Sequence, residues 1–180
     1  DTTLTAEQLD CAQTIRSSGE ALMVIINDIL DFSKIESGKL SLELLDFELP
    51  VFLNRVIALF TERAQRKGLV LTSHIAHGVP SGLLGDPSRL QQILSNLLAN
   101  ASKFSDHGTV FVQVEIDQRP PEQRLEFPAT RYVETSADHN RVIHVRFSVF
   151  DNGIGIAPSA FSKLFQPFVQ ADGSTTRKYG

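Results

Sequence analysis

The sequence predicts an α+β fold, and three observations carry that prediction. Apolar residues recur at helical spacing over residues 5–37, a period no strand uses. Two later segments alternate apolar and polar residues, Val110, Val112, Val114, Ile116 and then Ile143, Val145, Phe147, Val149, as half-buried strands do. Between the helical and alternating regions stands Asp86-Pro87, a capping residue followed by the residue best suited to a helix's first turn.

Each element has a local reason. Thr5, with Gln8 three positions on, offers a capping box for a helix over 5–37. Leu9, Ala12, Ile15, Leu22, Ile25, Ile26, Ile29, Phe32 and Ile35 form its apolar stripe, and Gly38 ends it. A stripe that wide implies packing against a partner. Residues 42–49 read as a strand ended by Pro50, 51–66 as an amphipathic helix stopped by Gly68, and 69–75 as a strand. The helix opened by Asp86 runs to Phe104, with Leu90, Ile93, Leu94, Leu97, Leu98 and Ala101 as its buried face. A strand over 109–117 follows. Residues 118–140 are polar, contain Pro120, Pro121 and Pro128, and have no period, which predicts a long surface loop. Residues 158–165 read as a short helix before a polar end.

Composition narrows the class. Hydrophobic residues make up 42% of the 180, enough to build a core. The formal charge of −4 argues against a nucleic-acid surface, so no nucleic-acid partner is expected. Cys11 is the only cysteine, which excludes a disulfide within one chain and fits a reducing compartment. The longest strongly apolar stretch, 21–30, is interrupted by Asn27 and Asp28 and is too short to cross a bilayer. The expectation is a cytoplasmic region, with a membrane anchor elsewhere in a longer parent left open.

Two constellations carry chemistry. Asp151-Asn152-Gly153-Ile154-Gly155-Ile156 follows the last alternating strand. A carboxylate there can accept from an exocyclic amine, and glycines two apart let backbone approach a flat ring. The same pattern also occurs in plain turns. On the helix after Asp86, Asn96, Asn100 and Lys103 share one face. Asparagine offers a neutral oxygen to a hard cation such as magnesium, and lysine a point charge to phosphate. The alternative is a solvated face, although asparagine is a modest helix former for that use.

These residues reach a family. Asn96-Leu97-Leu98-Ala99-Asn100-Ala101-Ser102-Lys103-Phe104-Ser105 resembles the N box of sensor histidine kinases. Asp151 to Gly155 resembles the first glycine box, Phe161-Ser162-Lys163-Leu164-Phe165-Gln166-Pro167-Phe168 the phenylalanine box, and Asp172-Gly173-Ser174-Thr175-Thr176-Arg177-Lys178-Tyr179-Gly180 the lid leading to a second glycine box. Ile25-Ile26-Asn27-Asp28-Ile29-Leu30-Asp31-Phe32-Ser33-Lys34-Ile35-Glu36-Ser37-Gly38-Lys39-Leu40 resembles the second helix of the dimerisation domain, especially in the hybrid type that also carries receiver domains.

The resemblance implies a histidine-kinase-type ATPase α/β sandwich, a mixed sheet with helices on one face, preceded by a long dimerisation helix. It divides the chain into residues 1–41, part of the dimerisation region, and 42–180, part of the catalytic ATP-binding domain ending within the lid. It implies ATP and magnesium as cofactors. Asn100 matches the magnesium holder, and Asn96 and Lys103 the residues near the phosphates. Asp151 matches the reader of the adenine amine, Gly153 and Gly155 the glycines beneath the base, and Phe104 a residue near the adenine. Phe165 and Phe168 match lid anchors. Ordinary core packing remains the alternative for all three phenylalanines. Implied partners are a second copy through the N-terminal helix, the acceptor histidine of the parent dimer, and a response-regulator receiver domain.

Two departures qualify the resemblance. The family's acceptor histidine lies in a motif that none of His74, His77, His107, His139 or His144 reproduces, so no catalytic histidine is expected among them. The chain also stops before the second glycine box, so the expectation is a fragment cut inside one domain, without activity alone. The leading function is phosphoryl transfer from ATP to a histidine for phosphorelay signalling. A gyrase- or chaperone-type ATPase is the alternative; those relatives place a glutamate base where Asn96 stands, and asparagine cannot take a proton from water. A non-catalytic dimerisation or regulatory piece is the third reading.

Overall fold

The computed structural model describes residues 4–119, 132–134 and 142–163. The chain divides into two compact units, Asp1–Leu42 and Glu43–Gly180.

The first unit is helix α1 (Ala6–Glu36). Its start is the expected capping box: the Thr5 hydroxyl accepts the Gln8 N–H at 3.2 Å, and the Gln8 side chain accepts the Thr5 N–H at 3.0 Å. At the other end the amides of Ser37, Gly38 and Lys39 return to the carbonyls of Ser33, Ile35 and Lys34. None of its residues is buried. The stripe residues Leu22, Ile25 and Ile29 stand exposed, as do Met23, Val24 and Leu30 outside it.

The second unit begins with β1 (Leu45–Glu48) and α2 (Leu49–Arg66). The strand expected over 42–49 is shorter because Leu49 and Pro50 already form the first helical turn. Proline's missing N–H costs nothing there. Next come β2 (Leu69–Ile75), β3 (Gly82–Gly85) and α3 (Pro87–Phe104). Then follow β4 (Gly108–Ile116), β5 (Tyr132–Glu134), β6 (Val142–Ile143) and β7 (Val145–Phe150). A 3₁₀ helix spans Pro158–Lys163, shorter and tighter than the helix expected over 158–165. The expected loop over 118–140 needs correction within its described part, since Tyr132–Glu134 is a strand paired with β3. The rest of that segment lies outside the described residues.

The strands form two ladders. One has the order β1-β3-β5-β6 and is antiparallel throughout; the other has the order β2-β4-β7. The second is mixed, with β2 parallel to β4 and β7 antiparallel to it. Only His144 separates β6 from β7, and its carbonyl accepts the Asp117 N–H at 2.7 Å. One polypeptide run therefore borders both ladders.

The core sits between the mixed sheet and the two helices. Leu49, Phe52, Leu53 and Val56 of α2 meet Leu90, Leu94, Leu98 and Ala101 of α3 over Val110, Val112 and Val114 of β4. Two residues expected on the buried face of α3 are not there. Ile93 is 57% exposed and Leu97 42%. The core takes the row 90, 94, 98, 101, and Ile93 and Leu97 fall at its edge, beside the asparagines.

Candidate nucleotide site

Helix α3 is held first at its start. The Asp86 carboxylate accepts the Arg89 N–H at 2.9 Å through one oxygen and the Glu43 N–H at 3.0 Å through the other. It thereby caps the helix and ties the chain before β1 to it. With the row from Leu90 to Ala101 buried, the polar stripe must face outward. Asn96 and Asn100 are exposed, and neither side chain makes a hydrogen bond among the described residues. Lys103 is half-buried, with its ammonium 5.7 Å from the centre of the Phe104 ring. At that distance the ring face attracts the cation without neutralising it.

The other end of α3 is where the second constellation arrives. An α-helix leaves its last four carbonyls without partners inside the helix. In α3 three of these are met from outside. Lys67 Nζ donates to the Ser102 carbonyl at 2.7 Å and the Lys103 carbonyl at 3.2 Å. The Phe104 carbonyl accepts the Ile154 N–H at 3.2 Å. The loop after β7 is thus hydrogen-bonded to the residue that ends the asparagine stripe.

Glycine is required for this approach. A Cβ on Gly153 would stand 2.5 Å from the Phe104 carbonyl oxygen and 2.7 Å from Asp151 Oδ1. Both are far inside contact distance. Gly155 has open space around it but a φ of +69°, which side-chain-bearing residues rarely adopt. Asn152 fastens the same loop on its other side: its Oδ1 accepts the Thr109 N–H at 3.0 Å. Asp151 is exposed, and one carboxylate oxygen accepts the Gly153 N–H at 2.8 Å. Its second oxygen has no hydrogen bond among the described residues and is free to accept one.

The structure therefore brings Asp151, Gly153 and Gly155 against the end of the helix that carries Asn96, Asn100, Lys103 and Phe104. Phe165 and Phe168, and the segment resembling a lid, lie outside the described residues. Two residues that position the site escaped the sequence reading. Asn152 and Lys67 act across 43 and 35 residues, and no local pattern marks such contacts. Among the described residues no group of three or more His, Cys, Asp or Glu could hold a metal ion. None of the described helices is long and apolar enough to cross a membrane.

A separate charged cluster lies at the far end of β4. Arg146 donates to Asp117 at 2.6 Å and to Glu115 at 3.2 Å, while Arg119 donates to Asp117 at 2.7 Å. Hydrogen bonds from the Arg119 guanidinium hold the Asp117 carboxyl well below the usual carboxylate range. Partial burial opposes this, and the Arg119 amide and Arg146 reinforce it. Glu115, Arg119 and Arg146 border a cavity of about 480 Å³ that also touches Ala76 and His77. Gly108 opens β4 beside the glycine loop and Ile116 closes it near this cluster, so the two features occupy opposite ends of one strand.

The chain resembles known proteins over most of its length. Residues 85–180 match the family described as histidine kinase-, DNA gyrase B- and HSP90-like ATPase. The signal transduction histidine-protein kinase BarA of Escherichia coli K12 is 40% identical over 99% of the chain. Hybrid signal transduction histidine kinase A of Dictyostelium discoideum is 39% identical over all of it. The alignments cover 17% and 8% of those proteins, so the chain spans under a fifth of their length. Among solved structures, full-length ShkA in complex with AMPPNP superposes with a TM-score of 0.69 at 32% identity, covering 96% of this chain and 32% of that one.

Proposed function

The chain belongs to the histidine kinase-, DNA gyrase B- and HSP90-like ATPases and has histidine kinases as its relatives; from that premise we propose that the α3–glycine-loop junction binds magnesium-ATP for phosphoryl transfer to a histidine. The observation that carries this reading is the hydrogen bond from the Ile154 amide to the Phe104 carbonyl, made over a glycine with no room for a side chain. It joins the loop that carries Asp151 to the end of the helix that carries Asn96, Asn100 and Lys103.

In this reading Asp151 accepts from the adenine amine through its free oxygen, Gly153 lets the loop close on the helix end, and Gly155 leaves open space for the base to lie on backbone. Asn100 offers its amide oxygen to magnesium, whose other positions go to phosphate and water. Bound there, the ion supplies charge neutralisation for the phosphates. Asn96 and Lys103 face the phosphate oxygens, and Phe104 lines the base end. Such a site works by placement and charge rather than by a protein base. Asn96 favours this reading over the hydrolytic alternative, because an amide cannot activate water.

For the longer protein we propose a hybrid sensor kinase in a phosphorelay. Its second copy would pair through the apolar residues of α1, a helix with no buried residue among the described residues. The acceptor histidine would come from that dimer and the phosphoryl group would pass to a receiver domain.

Titration with magnesium-ATP tests the site. Asp151→Asn is expected to weaken binding by about 1.5–3 kcal/mol, as for loss of a charged acceptor. Asn100→Ala is expected to remove the magnesium dependence while leaving the unfolding temperature in place, since its side chain is exposed and makes no hydrogen bond among the described residues. Unchanged affinity in both variants, with the fold intact, contradicts the assignment.

A further inference from the structure

The end of α3 presents a division of labour between two lysines. A lysine in the last turn of a helix ordinarily satisfies the carbonyls at that end and answers their negative partial charge. Lys103 occupies such a position, and its ammonium makes no hydrogen bond to those carbonyls. Lys67 makes those bonds instead. It stands at the end of α2 and reaches across with Nζ to the Ser102 and Lys103 carbonyls at 2.7 and 3.2 Å. Lys103 forms no ion pair among the described residues, and its one contact of note is the Phe104 ring.

We infer that Lys67 is a positioning residue for nucleotide binding, capping α3 so that the Lys103 ammonium is released to meet phosphate. The inference rests on the reading of α3 as the phosphate-facing helix. Remove the Lys67 ammonium, and the exposed carbonyls of Ser102 and Lys103 become the nearest strong acceptors for Lys103. The side chain then folds back onto its own helix end, where the partial charge is about half an electron, and phosphate must compete for it. The Phe104 carbonyl, next in line, keeps its bond from Ile154, so the base end of the site is spared.

A double-mutant cycle in ATP affinity separates this role from plain stabilisation. Lys67→Met keeps most of the aliphatic stem and deletes the donor. It is expected to raise the Kd for magnesium-ATP about threefold to tenfold, the scale of a partly buried helix-end charge. Lys67→Arg, which retains a donor, is expected to restore most of the loss. In a Lys103→Ala background the same Lys67→Met change is expected to add nothing, because the residue it serves is gone. Equal losses in both backgrounds would make Lys67 a general brace and overturn the inference, as would no loss in either or an unfolded Lys67→Met chain by circular dichroism. If Lys103→Ala alone leaves the affinity unchanged, the phosphate role of Lys103 fails and this inference with it, while Asp151→Asn still reports on the base pocket. A wild-type chain that binds no ATP overturns the proposed function itself.

Discussion

The Phe104 carbonyl oxygen accepts the Ile154 amide at 3.2 Å and lies 2.5 Å from where a Gly153 Cβ would stand. Helix end and loop are therefore fitted to one another through a missing side chain. Gly153→Ala must push the loop off the helix. The expected cost is about 1–3 kcal/mol of stability, as for other overpacked sites, with nucleotide affinity lost alongside. Gly155→Ala meets no atom within 4 Å, so it should cost only about 1 kcal/mol, from its left-handed backbone. Thermal unfolding of the two variants checks the order. A Gly155 variant less stable than the Gly153 variant would contradict it.

The two faces of α3 should differ sharply in mutational cost. Leu94 is fully buried and Ile93 is 57% exposed. Leu94→Ala is expected to destabilise by about 2–5 kcal/mol, the range for buried leucines. Ile93→Ala should stay within about 0.5 kcal/mol. Chemical denaturation measures both, and equal losses would return Ile93 to the core.

That contrast also marks how far the sequence could be read. Signals confined to a few residues were legible. Thr5 with Gln8 and Asp86 with Pro87 placed the starts of α1 and α3, and the alternation of Val110, Val112 and Val114 placed β4. The stripe on α3 was only half legible, because apolar residues at both three- and four-residue spacing leave the exact facing open until a sheet is packed against them. Strand β3 was missed because Gly82-Leu83-Leu84-Gly85 is short and flanked by glycine, and its existence depends on pairing with Leu45–Glu48 nearly forty residues earlier. In the site, residue types and spacing picked out Asp151 and the asparagine stripe. The contacts that hold them, Lys67 to α3 and Asn152 to Thr109, depend on the chain coming back to itself.

Acid should expose the cluster at the far end of β4. Arg119 and Arg146 hold the Asp117 carboxyl below its unfolded-state value of about 3.9. A group depressed in this way stabilises the fold above its unfolded value, and that contribution is lost as pH falls toward the folded value. The unfolding temperature of the wild type is therefore expected to drop more steeply below about pH 4 than that of Asp117→Asn, which cannot titrate. Parallel curves for the two proteins would remove Asp117 from the acid response.

Amide chemical-shift mapping during titration with magnesium-AMPPNP locates the nucleotide on the chain, because it reports every residue without presuming which ones matter. The site described here predicts that the largest changes fall on Asn100, Lys103 and Phe104 at the end of α3 and on Gly153, Ile154 and Gly155 in the loop. Changes at Asn100 and Lys103 should depend on magnesium, while those at Ile154 and Gly155 should persist with adenosine alone. Shifts centred instead on Glu115, Asp117, Arg119 and Arg146, with the α3–loop junction silent, would contradict the account.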